Sequence, residues 1–272
     1  MLLTIDIGNS SIKFGVYDGE ILISKFHIPT RHDYSASEIK RMVGNNLTLE
    51  VDAAIASSVV PEVEEPIREF LKHGFGVEPV FVRNSSDFGL KIKYDPVSSV
   101  GTDRLIDAFA AVRKYGSPCI VCDFGTATTI DAVNSDGEYL GGVITPGMNT
   151  LSEALHLKTS KLPRVSIEKP LNVIGNTTVG SIQSGIFFGY IGLVEGILTR
   201  MIRELSSVAL SSPPFKGGLA VGRGGATGLS KSPSVIATGG FAKLIAENCD
   251  LIEIVDENLM LDGLRFMSER NE

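Results

Sequence analysis

Two short stretches hold the residues best placed to do chemistry, and they resemble each other. The first runs Leu3-Thr4-Ile5-Asp6-Ile7-Gly8-Asn9-Ser10-Ser11-Ile12-Lys13 and closes on Asp18-Gly19-Glu20. The second runs Ile120-Val121-Cys122-Asp123-Phe124-Gly125-Thr126-Ala127-Thr128-Thr129-Ile130 and closes on Asp136-Gly137-Glu138. In both, an apolar run ends in Asp-x-Gly, small polar residues follow, and a second apolar run leads to Asp-Gly-Glu. One inserted residue before that turn is the only shift. Asp-Gly between strand-like runs is a strong hairpin signal. A glycine lets the backbone approach a phosphate, and adjacent N–H and hydroxyl groups donate to its oxygens. A carboxylate just ahead of the loop is placed to hold a cation, or its water, against those oxygens. One such turn would be ordinary in an α/β protein. Two matched copies predict two lobes that close on a triphosphate.

A third candidate is Gly101-Thr102-Asp103-Arg104, at the start of an amphipathic helix over Leu105–Tyr115 that Gly116 and Pro118 end. Asp103 can serve as a proton acceptor; as a plain helix residue it, or Thr102, would be the cap. Its place at a helix N-terminus predicts a carboxylate that stays ionised. Arg104 offers a cationic fork suited to a carboxylate, or else a surface salt bridge.

Strands and helices must position these groups. Gly19–Ile28 suits a third strand, Ser35–Val43 and Glu62–His73 suit helices, and the runs Val51–Ala56 and Pro79–Val82 flank the second of them. The second half repeats the order: strands at 119–123, 128–134 and 138–144, a helix after Gly147, a long helix over about 178–205, a strand and glycine turn over Pro233–Gly240, a helix to Glu247, and a closing helix over Asn258–Met267. This predicts tandem α/β domains with mixed sheets, over residues 1–117 and 118–272. Residues 206–233 are rich in Ser, Pro and Gly and read as a flexible insertion. Within them Gly225–Ser232 nearly matches a P-loop. Ser230 stands at the second glycine position, and Pro233 follows where a helix should start, so the match is set aside.

Bulk properties narrow the class. The 272 residues are 43% hydrophobic and 21% charged, enough for one large or two smaller globular domains. A net charge of −7 speaks against a general nucleic-acid grip. No run approaches about 20 apolar residues, so no membrane span is expected. Met1–Asp6 lacks the basic region of a signal peptide, and three cysteines fit a reducing cytoplasm. Cys119 and Cys122, three apart on one predicted strand, should face opposite ways and share no metal. His27, His32, His73 and His156 form no ligand spacing.

The ordered set Asp6–Ser10, Gly101–Arg104, Asp123–Thr128, Gly141–Gly147 and Ala237–Gly240, with Tyr94-Asp95-Pro96 and Gln183-Ser184-Gly185, resembles the signatures of type III pantothenate kinases. The resemblance covers nearly the whole chain outside 206–233. It implies two tandem ribonuclease H-like (actin-like ATPase) domains with a cleft between them. It also implies ATP-dependent phosphorylation of pantothenate, magnesium, a monovalent cation (potassium or ammonium) and a cytoplasmic homodimer with the pantothenate pocket near the subunit interface. Carried onto this chain, Asp6, Ile7, Gly8, Asn9, Ser10, Ser11, Ile12 and Lys13 look like the first phosphate clamp. Asp6 is also a candidate for magnesium through water. Asp123 looks like the monovalent-cation ligand and Thr126 a nucleotide contact. Tyr94, Gly101, Thr102, Asp103 and Arg104 look like the pantothenate wall, with Asp103 the proton acceptor and Thr178, beside Thr177, a further contact. Ala237–Gly240 resembles the adenosine-side turn. Ser10 stands where Thr is commoner, which keeps the hydroxyl. Rival readings are a kinase for another small acceptor and a nucleotide-binding regulatory or structural homologue.

Overall fold

The computed structural model describes residues 1–44, 46–47, 49–211 and 232–270. Its elements are, in order, β1 (Leu2–Ile7), β2 (Ser11–Asp18), β3 (Ile21–Pro29), α1 (Ala36–Val43), β4 (Ala53–Ser58), α2 (Pro61–Phe75), β5 (Val80–Phe81), β6 (Lys91–Ile92) and α3 (Thr102–Tyr115). There follow β7 (Cys119–Phe124), β8 (Ala127–Val133), β9 (Glu138–Pro146), α4 (Met148–Lys158), α5 (Thr178–Ser211), β10 (Ser234–Thr238), α6 (Ala242–Ala246), β11 (Ile254–Val255) and α7 (Leu259–Arg270).

The duplication read in the sequence is a duplication of topology. The first sheet has the order β3-β2-β1-β4-β5, and the second runs β11-β10-β7-β8-β9-β6. Reversed and stripped of β6, the second order is β9-β8-β7-β10-β11, the same arrangement. In each copy the first three strands form an antiparallel meander, the fourth adds parallel to the first, and the fifth parallel to the fourth. These are two tandem ribonuclease H-like units with mixed sheets. Strand β6, from the first half of the chain, pairs in parallel with β9 and extends the second sheet.

Strand alternation decides which side chains face the middle of the molecule. In β1, Leu3, Ile5 and Ile7 pack with α1 and α2, whose buried residues include Ile39, Val43, Val63 and Ile67. In β7, Ile120, Cys122 and Phe124 pack with α5 and α6, through Phe187, Tyr190 and Ile245 among others. The opposite faces of the two sheets enclose a third cluster built on α3 and α7, with Leu105, Ile106, Leu259 and Leu264 at its centre. Asp6 and Asp123 have the parity of the inner faces. Cys119 belongs to the inner cluster and Cys122 to the outer one, as expected of residues three apart on a strand.

Two boundaries differ from expectation. Neither Thr102 nor Asp103 caps α3; the cap position is Gly101, and no side chain closes it. Thr102 instead donates its hydroxyl to Asn84 Oδ1 at 2.8 Å. The long helix α5 continues to Ser211, because Ser206 satisfies its hydroxyl on the carbonyl of Ile202 and tolerates helix interior. The expected insertion therefore starts later than 206, and its residues 212–231, with the near P-loop, lie outside the described residues. Along α5, Ile182, Ile186, Tyr190, Val194 and Leu198 form one buried stripe at helical spacing. By length and composition this helix is also apolar enough to cross a membrane, and only 33% of its most apolar window is buried.

Candidate active site

A cleft of about 540 Å³ opens between the sheets, and both loops reach it. The first loop, Gly8–Ser10, is closed by the Gly8 N–H donating to the Ser11 carbonyl at 3.1 Å. The second, Gly125–Thr126, is braced by the N–H of Gly147 donating to the Thr126 carbonyl at 3.0 Å, and by the Thr150 hydroxyl donating to it at 2.7 Å. The loops touch: Ser10 Oγ lies 2.6 Å from Thr126 Oγ1. Asp6, Lys13, Asp103, Asp107 and Asp123 all line the cleft, together with Thr238, Gly239 and Gly240 of the third turn.

Of the first clamp, Asp6, Gly8, Asn9, Ser10, Ser11 and Lys13 line the cleft. Ile7 and Ile12 are fully buried and their side chains serve the core. Lys13 sits directly across the strand pair from Asp6, with Nζ 3.1 Å from Oδ2. That carboxylate pushes the lysine up to about 12, against burial. Across the second hairpin Asp123 faces Thr129, so no cation answers it within its own hairpin. Burial raises the Asp123 carboxyl to about 6; Lys13 opposes the shift, while Asp6 and Asp103 add to it.

The third turn presses on the same carboxylate. Gly239 has φ +88°, and a Cβ there would fall 2.3 Å from Asp123 Oδ1 and 2.7 Å from the Phe124 nitrogen. Only glycine meets both demands. The bare backbone leaves a small polar cradle beside a carboxylate with no cation in its own hairpin, a donor set that suits a cation. Among the described residues no group of three or more His, Cys, Asp or Glu side chains could hold a metal unaided. A cation here would draw its remaining ligands from phosphate oxygens, backbone or water.

Asp103 lies on the first turn of α3 and is half-buried. Burial raises its carboxyl and outweighs the Arg104 N–H that donates to Oδ1 at 2.9 Å. Asp6 and Asp131 push the same way. A raised carboxylate is the better proton acceptor. Arg104 is not the surface residue its salt-bridge alternative implied: it is buried, and Asp131 takes it in a multidentate pair at 2.6–3.1 Å. The Tyr94 ring lies 5.8 Å from the same guanidinium. Thr178 stands apart from these groups, lining a larger groove between α4 and α5 with Leu151, Leu155, Ile182 and Ile186. Its neighbour Thr177 lines the same groove and accepts the Gly180 N–H on its hydroxyl at 3.0 Å.

Sequence reasoning missed Asp107. It is four residues beyond Asp103, on the same face of α3, and that spacing was the available signal. It is buried, its Oδ1 meets no hydrogen-bond donor, and burial among Asp123, Asp103 and Asp6 raises its carboxyl well above the ordinary range. Asn149, Glu153 and Arg164 also line the cleft without having carried a motif.

Two facing carboxylate-tipped loops around a polar cleft, with an acid on a helix between them, define an actin-like phosphotransferase. A family model of type III pantothenate kinase matches residues 2–200. The type III pantothenate kinase of Geobacter sulfurreducens is 40% identical, covering 100% of this chain and 99% of its own length. That of Paramagnetospirillum magneticum is 41% identical, covering 100% and 98%. The chain belongs to the type III pantothenate kinase family. Among solved structures, a conserved putative Baf family transcriptional activator from Campylobacter jejuni shares the fold at TM-score 0.57 and 19% identity, covering 99% of this chain and 98% of its own.

Proposed function

We propose that this chain transfers the γ-phosphoryl group of ATP to the terminal hydroxyl of pantothenate, giving 4'-phosphopantothenate in the first step of coenzyme A biosynthesis. The observation that carries this reading is the meeting of Asp6, Asp103 and Asp123 in one cleft whose two loops join at Ser10 and Thr126. Family membership supports pantothenate as the acceptor.

Phosphoryl transfer needs positioning and charge neutralisation above all. Gly8–Ser11 and Gly125–Thr126 offer backbone N–H groups and hydroxyls to the polyphosphate, and Lys13 supplies a permanent positive charge. Asp103 orients the acceptor hydroxyl. The hydroxyl oxygen forms the new bond to the γ-phosphorus as the bond to the β-phosphate oxygen breaks, and the hydroxyl proton passes to Asp103. ADP leaves with the electron pair. Asp123 would hold the monovalent cation and Asp6, through water, magnesium; when bound, these ions neutralise the phosphate oxygens.

We also propose two domains, 1–117 and 118–272, joined twice across that boundary by β6 and by α7, which packs against β1 and α3. Homodimerisation through the α4–α5 groove is supported by its apolar lining, which includes the exposed Leu155, and by the exposed Leu157 and Val179 on the same two helices. It would bring Thr178 to an acceptor pocket at the subunit interface. We place the enzyme in the cytoplasm, without a membrane or nucleic-acid partner, on its buried cysteines and acidic balance.

A coupled ATP-consumption assay with pantothenate, acetate, a hexose and polyphosphate tests the assignment. The expected result is turnover with pantothenate alone, dependent on added potassium or ammonium. Turnover confined to another acceptor overturns the substrate, and full activity in sodium-only buffer overturns the role of Asp123.

A further inference from the structure

Resting on that functional reading, we propose that Asp131 is a positioning residue for the acceptor: it fixes which nitrogen of Arg104 meets the acceptor's carboxylate. Asp131 lies on β8, in the second unit, whereas Arg104 is on the first turn of α3. Both are buried. Asp131 Oδ1 and Oδ2 accept from Arg104 Nε at 3.1 Å, and Oδ1 accepts from Nη2 at 2.6 Å. The Nε–Nη2 edge of the guanidinium is thereby taken. Nη1 is the terminal nitrogen the ion pair leaves, on a guanidinium that the Tyr94 side chain also bonds.

Asp131 is itself held. The Tyr139 hydroxyl donates to its Oδ1 at 2.7 Å, and Tyr139 is fully buried. The pair of glycines between Tyr139 and the Thr-Pro-Gly turn makes room for both ends of the device. A Cβ on Gly142 would fall 2.8 Å from Asp131 Oδ1 and 2.0 Å from the Ile130 carbonyl. Gly141 has φ +96°, and a Cβ there would fall 2.9 Å from the Tyr94 ring. Tyr94 in turn lies against the Arg104 guanidinium. Asp131 on β8, Tyr139 and two glycines on β9, and Tyr94 just after β6 thus set one arginine. A guanidinium held on one edge loses rotamer freedom before the ligand arrives, which lowers the entropic cost of binding.

The isosteric Asp131→Asn weakens the grip while keeping the shape. Wild type and variant are compared with pantothenate and with its neutral analogue, in which the carboxylate is reduced to an alcohol. The expected result is a KM for pantothenate raised about tenfold, a KM for ATP within about twofold of wild type, and a collapsed preference for pantothenate over the neutral analogue. A purely structural role would lower the folded fraction and kcat while leaving that preference intact. Tyr139→Phe, which removes one hydroxyl, gives the same pattern at about threefold and carries the test should Asp131→Asn not fold. An active wild type with an unmoved preference in these variants overturns this inference alone. A wild type inert towards pantothenate overturns the functional reading and this inference with it.

Discussion

The two phosphate hairpins share a topology and differ in how they treat their carboxylate. In the first, a three-residue loop puts Lys13 opposite Asp6, and the pair neutralises itself at 3.1 Å. In the second, a two-residue loop shifts the partner by one position, so Thr129 stands opposite Asp123. A longer turn after β8, Asn134–Gly137 against Gly19-Glu20 after β2, more than offsets the shorter loop, which is why the sequences align with one apparent insertion. A one-residue slip moves every side chain to the other face of a strand. Here it replaces a lysine with a hydroxyl at the one position that matters. Duplication thus yields one hairpin with a built-in cation and one without.

Breaking the machinery between the hairpins should have the largest effect. Asp103→Ala removes the proposed proton acceptor and spares both loops, so turnover should fall about 10²- to 10⁴-fold. ATP affinity, read by calorimetry, should stay within about threefold of wild type. Retention of most turnover would remove Asp103 from the chemistry. Lys13→Met makes the first hairpin resemble the second. KM for ATP should rise about tenfold or more, since a charge-assisted phosphate contact is lost, while KM for pantothenate stays near wild type. Equal rises in both constants would place Lys13 in general folding and not at the phosphates.

Strand, turn and periodicity signals made most of the fold legible, because hairpins, capped helices and buried stripes are encoded within a few residues. Asp6, Asp103 and Asp123 were legible for the same reason, each sitting in a short motif. The remainder depends on partners far along the chain. Arg104 carries no local mark of its commitment to Asp131, 27 residues away, and it was read as a fork for a carboxylate or a surface salt bridge. Asp103 was expected to behave as a helix-terminus carboxylate, yet burial between two sheets governs it. Strands β6 and β11, two residues each, exist only because a longer neighbour presents an edge.

The smallest expected effect tests the proposed cation site at Asp123 directly. Burial holds the Asp123 carboxyl at about 6, above the ordinary carboxylate value of 3.8. The folded chain therefore binds this proton more tightly than the unfolded chain. Below about pH 4 both forms are protonated and the site costs nothing. As pH rises from about 4 to 6 the unfolded chain releases its proton first, so stability falls across that window and the loss is complete above it. Two units correspond to about 3 kcal/mol, and partial solvent access reduces this to roughly 2 kcal/mol. In urea unfolding without potassium or magnesium, Asp123→Asn should gain about 2 kcal/mol over wild type at pH 7.5 and almost nothing at pH 4. Potassium should stabilise wild type at pH 7.5 and leave the variant unchanged. Parallel pH profiles for the two proteins, or equal potassium responses, would mean that the second hairpin is as self-sufficient as the first.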